Sequence, residues 1–282
     1  MSGVCLQLAA SEVALLASGW FRDGGPKRCI KRKRLTKGYS AGMIQYVEPL
    51  AASGLKIDWT RMPTYNTIMS VAAGAGLLLL VVLGRQFLAS RSAIAPEGWA
   101  LAFGALGFTL VTTGLHMTLT WPLAGQGFPF DNVIFGEPAL AFGVFLLAAA
   151  FYLWKRGAEL LGDDRVTRTA QIAAPISVFV FGMGLACFGI AAAGWKYTLF
   201  AAPPEEPISG EFAEWPLLEA SFMSGLYVLV GIGAVLFPFA LRRPRTWMSP
   251  VIGVAWGLSG LAFLFFGGLN YFTHIGLIVN TM

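Results

Sequence analysis

Ile172-Ala-Ala-Pro-Ile-Ser-Val-Phe-Val-Phe-Gly-Met-Gly-Leu-Ala-Cys-Phe-Gly-Ile-Ala-Ala-Ala193 runs for 22 residues without one charged side chain. A helix needs about 20 such residues to cross a hydrocarbon layer roughly 30 Å thick, and lipid offers no hydrogen bonds to a non-helical backbone. The stretch therefore reads as a transmembrane helix. Five other runs pass the same test, at about Thr64 to Phe87, Gly98 to Leu119, Val133 to Trp154, Leu217 to Leu241 and Pro250 to Gly276. Of the 282 residues 56% are hydrophobic and 12% charged, against roughly 25% charged in a soluble domain. The expected fold class is all-α, an integral membrane bundle of six transmembrane helices.

The net charge of +5 is misleading, because eight of the 20 basic residues precede Met43. From Met43 onward 12 Lys/Arg face 13 Asp/Glu, so the body carries no broad basic surface and no nucleic-acid partner is expected. Residues 1–42 stand apart. Their apolar patch at Val13 precedes the basic block, whereas a secretory signal puts positive charge first. They read either as a disordered basic segment or as sequence upstream of a true start at Met43. Residues 43–63 form an extracytoplasmic lead-in, and 64–282 the six-helix domain.

Charge also orients the bundle. The connections after helices 1, 3 and 5 hold nine basic residues (Arg85, Arg91, Lys155, Arg156, Arg165, Arg168, Arg242, Arg243, Arg245), and the opposite side holds three, Lys56, Arg61 and Lys196. The positive-inside rule then puts both termini of the bundle outside a prokaryotic cytoplasmic membrane. Trp99, Trp154 and Trp247 fall at inner ends and Trp121, Trp195 and Trp215 at outer ends, as interfacial indoles do. The three cysteines show no CxxC spacing, and Cys187 lies within an apolar run.

A weak internal repeat links Phe103-Gly-Ala-Leu-Gly, Phe181-Gly-Met-Gly and Trp256-Gly-Leu-Ser-Gly, which recur about every 75 to 78 residues and suggest three helical hairpins of one design. Small residues four apart, such as Gly253 and Gly257, Ala220 and Ser224, or Gly189 and Ala193, are expected to let helices approach closely.

The chemistry concentrates in Gly114-Leu-His-Met-Thr-Leu-Thr-Trp-Pro-Leu-Ala-Gly-Gln-Gly-Phe-Pro-Phe-Asp-Asn-Val-Ile-Phe-Gly-Glu-Pro138, which ends one apolar run, turns, and opens the next with a carboxylate. Thr109, Thr112, Thr113, His116 and Thr120 form one stripe at helical spacing. Threonines in such a stripe usually bond their own preceding carbonyls, whereas an ionisable His116 at membrane depth is a functional candidate. Polar groups elsewhere also favour the outer halves: Asn66, Glu137, Glu219, Asn270 and His274. A pocket open to the outer face is the expectation, lined by Asn66, Thr109, Thr112, Thr113, Thr120 and Asn270. His116, Glu137, Glu219 and His274 are the side chains there that suit a metal ion. Glu137 and Glu219 also open helices, where the backbone dipole alone favours an anion. A bis-histidine haem fits poorly, since His274 lies farther along its helix than His116 does.

Tyr65-Asn-Thr, Gly114-Leu-His-Met with Thr120-Trp-Pro-Leu, and Asn132-Val-Ile-Phe-Gly-Glu-Pro138 together resemble the prokaryotic membrane proteins grouped as domain of unknown function 981, over roughly residues 60–280. The resemblance implies a multi-helix bundle and lends no catalytic residues. Three functions are weighed. The leading one is a non-enzymatic accessory or scaffold subunit bound to other membrane proteins. Next comes a redox or metal-linked protein whose cofactor, a metal or a haem, would sit at His116. A small-solute transporter ranks third, because no charge falls near midplane and the helix-breaking Pro175 sits near the start of helix 4. No Ser-His-Asp or HExxH pattern supports a hydrolase.

Overall fold

The computed structural model describes residues 56–89 and 94–282. The readings of residues 1–42 and of the first part of the lead-in lie outside them. Six helices follow in order: α1 Asn66–Leu88, α2 Pro96–Thr120, α3 Glu137–Arg156, α4 Arg165–Tyr197, α5 Pro216–Arg242 and α6 Met248–Thr281. No strand occurs among the described residues. A short turn at Pro129–Asp131 and a wide π-helical turn at Asn132–Gly136 lead into α3. All six helices are long and apolar enough to cross a membrane.

Sequence located the helices and underestimated two of them. α4 begins at Arg165, not near Ile172, and α6 runs on to Thr281, giving 33 and 34 residues. At 1.5 Å per residue each is about 50 Å long, well beyond the roughly 30 Å of hydrocarbon. Their polar ends, Arg165-Val-Thr-Arg on α4 and Asn280-Thr on α6, extend where water and headgroups accept charge. Pro175 consequently lies well inside α4 and not near its start. Proline opens α2 and α5 within the first two helical positions, where its missing N–H leaves no bond unmade.

The tightest packing joins α2 to α3, α4 to α5, and α1 to α6, with weaker seams between α5 and α6 and between α1 and α2. A glycine pair marks each of the three tight crossings. A Cβ built on Gly107 of α2 would lie 2.9 Å from the Gly143 carbonyl oxygen of α3. One on Gly231 of α5 would meet the Gly184 oxygen of α4 at 3.0 Å, and one on Gly260 of α6 would meet the Gly74 oxygen of α1 at 3.0 Å. These distances leave backbones in contact with no room for a side chain.

Gly107, Gly184 and Gly260 are the last residues of the three repeated motifs. The repeat therefore marks helix crossings, but its units pair each even helix with the next odd one, and α6 closes back on α1. Phe103 and Trp256, four residues before their crossing glycines, are buried; Phe181 stands one position out of register and is only half-buried. Of the small pairs expected to mediate packing, Ala220 and Ser224 are buried. Gly189 and Gly257 are not at crossings, for a Cβ on either would meet nothing within 4 Å, and one on Gly253 would only graze Val81.

Phe103, Leu110, Met117 and Leu146 are fully buried between α2 and α3. Phe108, Phe151, Val178, Phe265 and Phe272 point outward with more than half their surface exposed. An exterior this apolar is compatible with lipid and not with water.

Candidate functional site

The threonine stripe of α2 is satisfied by its own helix. Thr109 donates to the Ala105 carbonyl at 3.0 Å, Thr112 to Phe108 at 2.9 Å, Thr113 to Thr109 at 2.7 Å and Thr120 to His116 at 2.7 Å. Such back-bonding leaves little hydrogen-bonding capacity for a ligand.

His116 is exposed in the last turns of α2 and is held by Tyr65, the residue that precedes α1. Its Nδ1 lies 2.8 Å from the Tyr65 hydroxyl, with the two rings edge to face. Burial pushes the Tyr65 phenol up to about 12, so it keeps its proton at neutral pH. A neutral phenol both donates and accepts, so the bond to Nδ1 forms in either ring tautomer. Nε2 lies 3.4 Å from the Thr120 hydroxyl oxygen, too long for a strong bond.

A second polar group forms where the connection 198–215 straps across the first turns of α5 and the last turns of α6. Thr198, Phe200 and Ile208 in it adopt positive φ, a conformation costly for side chains with a Cβ, so the strap is held by specific contacts. Glu219 accepts the Ala202 backbone N–H at 2.6 Å, the Asn280 amide donates to the Glu205 carbonyl at 2.7 Å, and Pro207 packs where a Cβ on Gly276 would fall. Glu206 accepts a hydrogen bond from Thr273, and its Oε1 lies 3.9 Å from His274 Nε2, both side chains being largely buried.

Burial raises the Glu206 carboxyl above the usual carboxylate range; the Thr273 bond opposes this and the neighbouring Glu219 carboxylate adds to it. The folded chain thus holds this proton more tightly than the unfolded chain. Its contribution to stability is present in acid and is lost as pH rises through the folded value. Glu206→Gln is expected to raise Tm at pH 8 and to leave it unchanged at pH 4; thermal melts in mild detergent at the two pH values check this.

Beneath the strap, Phe200 stacks on Tyr227 with ring centroids 6.1 Å apart. Tyr227 donates its hydroxyl to the Ile134 carbonyl in the π-helical turn. Pro138, four residues on, has no N–H to return to that carbonyl. Asn132, 1% exposed, fixes the same turn by accepting the Leu123 N–H at 3.3 Å and donating to the Pro129 carbonyl at 3.1 Å.

The expected site residues therefore fall into separate groups. His116 joins Tyr65, while His274 and Glu219 join the strap through Glu206 and Ala202. Glu137 is exposed in the first turn of α3. Asn66 on α1 and Asn270 on α6 each have a buried amide oxygen that no donor among the described residues reaches. Among the described residues no three His, Cys, Asp or Glu side chains gather into a group able to hold a metal ion. Sequence reasoning missed Tyr65, Asn132, Glu206, Tyr227 and Thr273 as members of these groups. Asn132 and Tyr65 lay in the motifs that carried the family resemblance; the other three had no distinguishing signal.

Six lipid-compatible helices define a multi-pass membrane bundle. The family model described as protein of unknown function (DUF981) matches residues 62–276, and the chain belongs to that family. No curated protein and no solved structure matches it.

Proposed function

We propose that this chain is a non-enzymatic accessory or scaffold subunit of a membrane complex, in the cytoplasmic membrane of a prokaryote, with both termini outside. The observation that carries the reading is where the helix polar groups go. The α2 threonines, Ser177 and Ser259 bond their own helices, Trp256 donates to the Val230 carbonyl of α5, and Tyr227 to the Ile134 carbonyl. Such bonds fix a shape and offer little to a substrate. The orientation rests on the nine basic residues at one end against three at the other.

The test is native extraction in mild detergent followed by mass measurement and metal analysis. The expected result is a particle heavier than the chain's own monomer or homo-oligomers, containing another membrane subunit. A stable monomer alone contradicts the scaffold role. A near-stoichiometric metal or a haem band lost in His116→Ala would replace it with the redox reading.

A further inference from the structure

The arginines of the basic end are not used alike. Those between α3 and α4 are engaged: Arg156 and Arg168 each reach Glu159 at 2.6 Å, and Arg165 donates to the Ala89 carbonyl at 2.9 Å. The turn between α5 and α6 reads Arg242-Arg243-Pro244-Arg245-Thr246-Trp247, and its three arginines are exposed. None of them makes an ion pair with a described carboxylate.

This turn is also rigid. Thr246 Oγ1 donates to the Arg243 carbonyl at 2.8 Å, Ser249 Oγ to the Pro244 carbonyl at 2.5 Å, and the Arg243 N–H to the Phe239 and Ala240 carbonyls at 3.2 Å. The backbone carrying the guanidinium groups is therefore fixed before any ligand arrives, and little ordering entropy remains to be lost there. Trp247 beside them is 66% exposed, as an indole at headgroup level is.

We propose that the α5–α6 turn binds the phosphate of an anionic lipid headgroup through Arg242, Arg243 and Arg245. Guanidinium forks suit phosphate oxygens and cannot lose their charge. The helix ends place the turn where a bilayer presents phosphates, so lipid, not free phosphate, is its source. Arg156 and Arg168 share the Glu159 carboxylate, which occupies part of their donors and cancels one of their two charges, so they offer a headgroup less than the three unpaired arginines do.

The test is native mass spectrometry of the full chain in mild detergent, titrated with phosphatidylglycerol and, separately, phosphatidylcholine. The wild type is expected to retain phosphatidylglycerol at least about tenfold more tightly. The triple variant Arg242→Gln, Arg243→Gln, Arg245→Gln is expected to lose that preference, and Arg156→Gln with Arg168→Gln to keep it. Inorganic phosphate is expected not to displace the lipid. Equal retention of both lipids by the wild type overturns the proposal, as does a triple variant that keeps the preference. Displacement by inorganic phosphate overturns the lipid as source. Should the triple variant fail to fold, added salt decides on the wild type: a charge-based preference falls as salt rises, and one insensitive to salt overturns the proposal.

Discussion

Replacing Gly74 with valine is expected to destabilise the bundle by about 3 kcal/mol or more, lowering Tm by about 10 °C. A Cβ at this position would press on the backbone nitrogen of Leu264 and lie 2.7 Å from the Gly260 carbonyl oxygen and 2.9 Å from the Leu264 Cα. All three atoms belong to the backbone of α6, so no rotamer change relieves the contact, and α1 must move away along its length. Gly257→Ala on α6 is the matched control. A Cβ there meets nothing within 4 Å, and replacing glycine by alanine in a helix is neutral to mildly stabilising. Thermal melts of the two variants in the same detergent measure the difference.

Tyr227→Phe is expected to cost about 1–3 kcal/mol, the next largest effect. The ring and its stacking on Phe200 are kept, and only the hydroxyl that serves the Ile134 carbonyl is lost. Because Pro138 cannot return an N–H to that carbonyl, Pro138→Ala adds a donor for it and should reduce the cost of Tyr227→Phe. A double-mutant cycle reads the coupling directly. Equal losses with and without the Pro138→Ala change would mean that the hydroxyl acts some other way.

Apolar run length alone identified the six helices, because membrane-crossing segments must satisfy their own backbones. Where the helices end was harder to read. The first turns of α4 carry Arg165 and Arg168, which an apolar count rejects although a helix leaving the bilayer tolerates them. The glycine repeat was visible, and Gly107, Gly184 and Gly260 are indeed contact points. Their partners were not visible, since Gly143, Gly231 and Gly74 carry no motif of their own and spacing within one helix does not specify which neighbour it meets. Gly189 and Gly257 illustrate the converse: glycine spacing alone does not separate a crossing face from a lipid-facing one.

The polar residues follow the same division. Back-bonding of the α2 threonines is local chemistry, set by residues three and four positions away, and sequence anticipated it. The Tyr65 to His116 bond spans 51 residues, and Tyr227 reaches Ile134 across 93. Glu206 carries no signal of its own in the sequence; only the strap brings it beside His274. Distant pairings of this kind depend on helix order around the bundle, which no local pattern contains.

The arrangement as a whole rests on α1 closing against α6, and one cross-link tests it. On a background with Cys5, Cys29 and Cys187 replaced by alanine, cysteines are placed at Val81 and Gly253. A Cβ at Gly253 lies 4.0 Å from Val81 Cγ1, close to the reach of a disulfide, and Gly253 has room for a side chain. Mild oxidation of the protein in its native membranes is expected to give a bridge within one chain, seen as a faster-migrating monomer band that reverts on reduction. Absence of that bridge, or bridging only between separate chains, would contradict the pairing of α1 with α6.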